Sequence, residues 1–241
     1  MTAPTPRTRG EELLLARISA AAGRAHLGRR LATYTATVLR GQAQGGPVRA
    51  IRLLPALARY GRSSAPKVCA NARLDLYESG MTVAVKGRIH VVRYDATAVF
   101  QNSARPRGIP ALVGTSCTYT LTDVERKRIV LYRRPEDGEA AKWGPAIQRA
   151  VAHAQLPRAW AALRKGEHLA FGEIWLTAEK VGSGEFSVPW PQVQQLAMKN
   201  GAITLTIHGK HHTLTPTGSK IPNLYLISAL AERLRTEAPQ E

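Results

Sequence analysis

Only two cysteines occur in 241 residues, Cys69 and Cys117, too few for a disulfide framework. Neither lies in a C-x-x-C pair or a Cys/His cluster, so zinc and thiol-redox centres find no support. Aromatic residues make up 6% of the chain, little material for a base-stacking surface. Uncharged apolar runs all fall short of the ~18 residues a membrane-spanning helix requires. The longest, residues 221–231, is broken by Pro222 and Asn223. Met1-Thr2-Ala3-Pro4-Thr5-Pro6 lacks the apolar core of a secretory signal, so a cytoplasmic location is expected.

Catalytic signatures are missing as well. The chain has no G-x-x-x-x-G-K-[ST], no G-x-S-x-G and no H-E-x-x-H. Gly182-Ser183-Gly184 has no lysine after it and reads as a hairpin turn. His208, His211 and His212 straddle Gly209-Lys210 without a nearby carboxylate, and strand alternation sends His211 and His212 to opposite faces. They read as surface histidines. Asp75, Asp95 and Asp123 are acid–base candidates by number alone, and Asp95 is expected to bond local backbone. No enzyme, cofactor or metal is expected.

Acidic residues are the other scarcity, and they are scarce in particular places. The chain holds 34 Lys and Arg against 17 Asp and Glu, a net charge of +17. Residues 1–72 carry +10, residues 73–166 carry +8 and residues 167–241 carry −1. The first two thirds are therefore a cation, which suits an anionic membrane surface, an acidic protein or nucleic acid. Arginine outnumbers lysine 25 to 9, a bias that a GC-rich genome also produces.

Periodicity divides the chain. Leu13, Leu14, Ile18, Ala21 and Ala22 recur at helical spacing over residues 11–26, with Glu11 and Glu12 in the first turn. Residues 41–47 are a break. Residues 48–60 then interleave Ile51, Leu53, Leu54, Leu57 and Tyr60 with Arg49, Arg52 and Arg59, a basic amphipathic pattern. It suits an anionic membrane surface but more often packs on its own domain, and Pro55 weakens a continuous helix. From Arg73 the period becomes two, through Leu74 and Leu76, Met81, Val83 and Val85, then Ile89 and Val91. Residues 94–101 are read as further strand. A hairpin follows around residues 123–128, then a helix over residues 142–165 that Pro157 kinks or divides. The second half repeats this order: short strands, a hairpin across Gly209-Lys210, and a last helix capped by Asn223.

Several segments carry a resemblance. They are Leu74-Asp75-Leu76-Tyr77-Glu78-Ser79-Gly80, Val92-Arg93-Tyr94-Asp95, Phe171-Gly172, Val188-Pro189-Trp190-Pro191-Gln192-Val193 and Ile221-Pro222-Asn223-Leu224. With the repeated order of elements, residues 73–235 resemble an uncharacterised actinobacterial family, a domain of unknown function with two tandem pleckstrin-homology-like domains. The resemblance implies an α+β protein: a basic helical N-terminal extension (residues 1–72), then two barrels (residues 73–166 and 167–241), each closed by a C-terminal helix. It carries fold and no chemistry. Tyr94 and Trp190, 96 positions apart, should be the buried aromatics of the two halves.

The function expected is a non-catalytic binding or scaffold protein, peripheral to an acidic membrane surface or bound to an acidic protein. Sequence-independent binding of nucleic acid is the alternative. Candidate polyanion contacts are Lys86, Arg88, Arg93, Arg105, Arg107, Arg126, Lys127, Arg128, Arg133 and Arg134, all on turns or strand ends. Arg49, Arg52 and Arg59 are the candidates for a membrane surface.

Overall fold

A computed structural model of the chain describes residues 8–39, 69–104, 116–133, 142–199 and 202–237. The helix expected near the N-terminus is α1 (Arg9–Arg24). Thr8 caps it, its hydroxyl accepting from the Glu11 N–H while the Glu11 carboxylate accepts from the Thr8 N–H. Leu27 and Gly28 then turn the chain into β1 (Arg30–Leu39), a strand inside the stretch read as a helical extension.

That strand organises the first half. The sheet contains β2 (Cys69–Tyr77), β3 (Gly80–Val85), β4 (Arg88–Arg93), β5 (Phe100–Ala104), β6 (Ser116–Thr122) and β7 (Arg128–Arg133) in the order β4-β3-β2-β1-β7-β6-β5, all antiparallel. So β1 joins a four-stranded meander to a three-stranded one, pairing Leu39 with Cys69 on one side and with Val130 on the other. Leu74, Leu76, Met81, Val83 and Val92 point to one face with Tyr119, Leu121 and Leu131. Helix α2 (Trp143–Arg164) closes over them through Trp143, Ile147 and Val151. Gly144 is needed there, since a Cβ would strike the Tyr119 ring. Helix α2 runs through Pro157 without dividing.

Residues 94–101 are not one strand. β4 ends at Arg93, whose guanidinium grips Asp95 through Nε (3.0 Å) and Nη2 (2.7 Å), and β5 begins only at Phe100. Asp95 therefore bonds a side chain at the bend.

The second half has the same plan in two separate sheets. β8 (Leu169–Phe171), β9 (Ile174–Leu176), β10 (Lys180–Ser183) and β11 (Phe186–Pro189) form a four-stranded meander. A 3-10 turn at Trp190–Gln192 leads into a three-stranded one, β12 (Val193–Lys199), β13 (Ala202–Ile207) and β14 (Lys210–Thr215). Helix α3 (Leu224–Glu237) follows, burying Leu226, Ile227, Leu230 and Leu234. Among the described residues, each half thus runs four strands, three strands and a following helix, with α1 preceding the first. The protein is α+β, but its sheets are open: the expected barrel closure is absent among the described residues. In the first half the β6–β7 turn reaches the edge of β4 by one backbone hydrogen bond, Val124 N–H to Val91 O (2.9 Å), which is no ladder.

Tyr94 and Trp190 are each 1% exposed. Trp190 donates its Nε1–H to Thr177 O at 3.0 Å. Asn223 does precede the last helix, yet its side chain does not cap it. With φ at 52° its amide turns to the first half, where Oδ1 accepts from Val99 N–H (2.8 Å) and Nδ2 donates to Gln155 Oε1 (2.9 Å). Gln155 in α2 donates to Tyr94 O and Thr97 O, both at 2.8 Å. This amide pair ties the two halves together. Beside it stand the Asn223 N–H to Val99 O bond (2.9 Å), the Phe100–Pro222 bridge and the packing of Ala152 and Leu163 of α2 in the core of the second half.

Candidate functional site: a cationic end of the first sheet

Antiparallel register decides which cations can meet. Leu39 and Cys69 face each other at one end of β1 and β2, the end from which the β3–β4 and β6–β7 turns also emerge. Lys86 and Gly87 form the first turn, with φ of 47° and 75°. Asp123 shapes the second: its Oδ1 accepts the N–H groups of Glu125 (3.0 Å) and Lys127 (2.7 Å), and its Oδ2 lies 2.8 Å from His90 Nδ1 on β4. That pairing, with the Val124–Val91 bond, holds the turn carrying Arg126, Lys127 and Arg128 against the strand carrying Arg88.

Six cations therefore share this end: Arg17, Lys86, Arg88, Arg126, Lys127 and Arg128, all exposed. Arg17 of α1 donates through Nη2 to Gly87 O at 3.0 Å. Sequence reasoning missed it, although it stands on the exposed side of a helix whose Ile18 and Ala21 are buried. Lys127 is spent locally on Glu125, which holds its ammonium above the ordinary value; Arg88 acts on it in the opposite sense. Partial desolvation lowers the Arg128 guanidinium from its usual range. Lys86, Arg88, Arg126 and Arg128 have no carboxylate partner among the described residues. Val124, 52% exposed, is the large apolar side chain beside them.

Other candidates lie elsewhere. Arg93 is held by Asp95 and by Ala25 O (3.1 Å), fastening β4 to the end of α1. Arg133 sits at the far end of β7, donating to the Cys117 sulfur at 3.2 Å. Arg49, Arg52, Arg59, Arg105, Arg107 and Arg134 lie outside the described residues.

Beneath α1, the outer face of the sheet holds a second charged group. Asp75, 0% exposed, accepts from Thr33 Oγ1 (2.6 Å) and from Arg73 through Nε (2.7 Å) and Nη2 (2.9 Å), with Arg30 Nη1 3.6 Å away. Burial pushes the Asp75 carboxyl up, but the Arg73 and Thr33 hydrogen bonds together outweigh it and hold it below the usual carboxylate range. Asp75 is thus the anchor of an arginine. His211 and His212 separate as the strand pattern requires, His211 bonding Thr206 and His212 stacking on Phe186. Among the described residues, no three of His, Cys, Asp and Glu gather as metal ligands, and no helix is long and apolar enough to cross a membrane.

No protein of curated description matches the chain. Residues 68–240 match the model of a family of unknown function, DUF6585. That stretch begins at β2 and runs past α3, taking in both four-plus-three strand sets except β1. By that match the chain belongs to the DUF6585 family.

Proposed function

We propose that this is a non-catalytic binding protein whose cationic end of the first half docks on an acidic surface, either an anionic membrane or an acidic protein. The observation that carries the reading is the convergence of Arg17, Lys86, Arg88, Arg126 and Arg128 from three elements far apart in sequence, none paired with a carboxylate among the described residues. Unpaired cations keep their field for a partner, and several together attract an anionic surface more strongly than any one alone. Val124 adds a small apolar contact. Peripheral association with a membrane follows as the cellular form of the reading.

The architecture fits this use. We read the repeated order of four strands, three strands and a helix as two pleckstrin-homology-like units in tandem, the first starting at β1. In such a unit the turns at one sheet end are free to change chemistry while the helix and core aromatic hold the fold.

The test is co-sedimentation with vesicles of phosphatidylcholine carrying phosphatidylserine, at low and moderate salt. The wild type should bind, and a Lys86, Arg88, Arg126, Arg128→Gln variant should lose most of it. Tight binding to duplex DNA with no vesicle binding would move the reading to the nucleic-acid alternative. Exposed aromatics for base stacking are lacking at this end among the described residues.

A further inference from the structure

The outer face of the first sheet is not covered evenly. Across β1, β2 and β3 its side chains form rows set by the register: Thr33, Asp75 and Thr82, then Thr35, Arg73 and Ala84, then Thr37 and Asn71 towards the Lys86 turn. In the first row Asp75 and Thr82 are each 0% exposed, and only Thr33 at its β1 end reaches solvent. In the next rows Thr35 and Asn71 are exposed and Arg73 is half-buried, over buried Ala84 and Thr37. Between them and α1 runs a groove of about 350 Å³, walled by Leu14 on the helix and lined by Thr35, Asn71, Arg73, Ala84 and Lys86.

Its lining is one-sided in chemistry. Arg73, Lys86, Asn71 and Thr35 all bring hydrogen-bond donors, and no carboxylate lines the groove. Arg73 is also held in place. Asp75 takes its Nε and Nη2 in a bidentate grip from below, so the guanidinium plane is fixed, and Nη1 has no partner among the described residues. A planar cation held in this way gives up little freedom on meeting an oxyanion. Lys86 stands at the mouth without an ion-pair partner among the described residues, and Arg17 reaches the same turn through Gly87 O. Asp75 is already held by Arg73, with Arg30 3.6 Å away, while Lys86 at the mouth has no carboxylate of its own among the described residues, so the groove keeps an excess of positive charge. The volume is at the small end of ligand sites, enough for a compact polar molecule and too little for a peptide segment.

We propose that this groove binds a phosphomonoester, with its oxygens on Arg73 and Lys86, its bridging or hydroxyl groups on Asn71 and Thr35, and its carbon backbone against Leu14. The ligand can come as a free metabolite or as the headgroup of a lipid. The site shares only Lys86 with the docking end described above, so the two readings fail separately.

Titration of the full chain with glycerol 3-phosphate, followed by calorimetry, tests the soluble source. Vesicles of phosphatidylcholine with and without phosphatidic acid test the lipid source. Lys86→Asn removes the charge while suiting the left-handed turn, and Asn71→Leu fills the groove at an exposed strand position. Thermal unfolding confirms that both variants fold. Each should weaken phosphomonoester binding by about 10-fold or more, the loss of one charge-assisted contact or of the space itself. Binding only to phosphatidic acid vesicles, weakened by both variants, would assign the lipid source. The proposal is overturned if the wild type binds neither probe. It is also overturned if Asn71→Leu leaves binding intact while Arg126→Gln with Arg128→Gln abolishes it, since the anion would then sit on the turns.

Discussion

The two halves share a plan and differ in what covers the outside of it. Strand order makes β2 the counterpart of β9 and β3 that of β10, so the outer row Thr33–Asp75–Thr82–Val91 of the first half corresponds to Ala170–Trp175–Gly182–Ser187 of the second. In the first half that row is polar as far as Thr82 and ends on Val91, packed against Ala22 and Leu27 at the end of α1, and its carboxylate is satisfied by a threonine and an arginine. In the second it is a single indole laid over glycine: a Cβ at Gly182 would collide with Trp175, whose Nε1 donates to Gly184 O at 3.3 Å. The turns differ in the same way. Lys86-Gly87-Arg88 and Arg126-Lys127-Arg128 face Ser183-Gly184-Glu185 and His208-Gly209-Lys210. Where His90 meets Asp123 in the first half, Phe186 stacks on His212 in the second, with ring centroids 6.1 Å apart. Inside, the halves share apolar strands, one buried aromatic after the fourth strand and a following helix, although α2 also lends Ala152 and Leu163 to the core of the second half. The core is kept because packing tolerates little change, while exposed turns tolerate almost any residue.

The strongest way to break this equivalence is to remove the matched aromatics. Trp190→Ala and Tyr94→Ala should each cost about 3–5 kcal/mol, the range for a buried large aromatic. Denaturant unfolding of both variants measures it, and a loss under 1 kcal/mol at one site would mean that the two aromatics are not equivalent.

The matched pair Asp75 and Trp175 should respond less. Asp75→Asn leaves Arg73 and Arg30 facing an uncharged group, and about 2–3 kcal/mol should be lost, below the fully buried range because both arginines reach water. Trp175→Ala, on a partly exposed face, should cost about 1–2 kcal/mol.

A pH titration sharpens the contrast. The Asp75 and Asp95 carboxyls are held below their ordinary range, Asp75 against its burial and Asp95 chiefly by the Arg93 hydrogen bonds. Each carboxylate therefore binds its proton more weakly folded than unfolded. Their stabilisation is complete above the ordinary carboxylate value of about 4 and is lost as the pH falls through the lower folded values. Unfolding followed from pH 6 to pH 2 should show this acid loss reduced in Asp75→Asn.

Comparable to Trp175→Ala is the effect of loosening the bond between the halves. Asn223→Ala removes contacts to Val99 and Gln155 and strains a position at φ 52°, so about 1–2 kcal/mol is expected. Two unfolding transitions in that variant, where the wild type shows one, would show the halves uncoupled.

Much of the interior could be read from the sequence. Leu74, Leu76, Met81 and Val83 alternate over a real strand pair, and Tyr94 and Trp190 are buried as their spacing implied. β1 escaped because its inward residues include Ala32 and Ala36, too small to mark an apolar stripe. The alternation of Thr33, Thr35 and Thr37 with Ala32, Tyr34, Ala36 and Val38 was nevertheless the signal. With that strand in place, the register makes Leu74-Asp75-Leu76 the counterpart of Ile174-Trp175-Leu176. For the cationic end, the residue types were visible but their meeting was not. Arg88 and Arg126 are 38 positions apart, and only the curl of the sheet, fixed by Val124 on Val91 and Asp123 on His90, brings their strands together. Arg93 and Arg133 looked equivalent to them, yet each is already held by a neighbour.

The contrast between a cationic first half and a near-neutral second predicts where an acidic surface will attach. The direct measurement is binding to phosphatidylserine-containing vesicles at 50 and 200 mM salt, values chosen to span strong and moderate screening. Three proteins are compared: wild type, Lys86/Arg88/Arg126/Arg128→Gln, and a variant with Lys180 and Lys210 of the second half changed to Gln. The account predicts wild-type binding that weakens at least several-fold with salt, near-complete loss in the first variant and little change in the second. Undiminished binding by the first variant, or loss confined to the second, would contradict it.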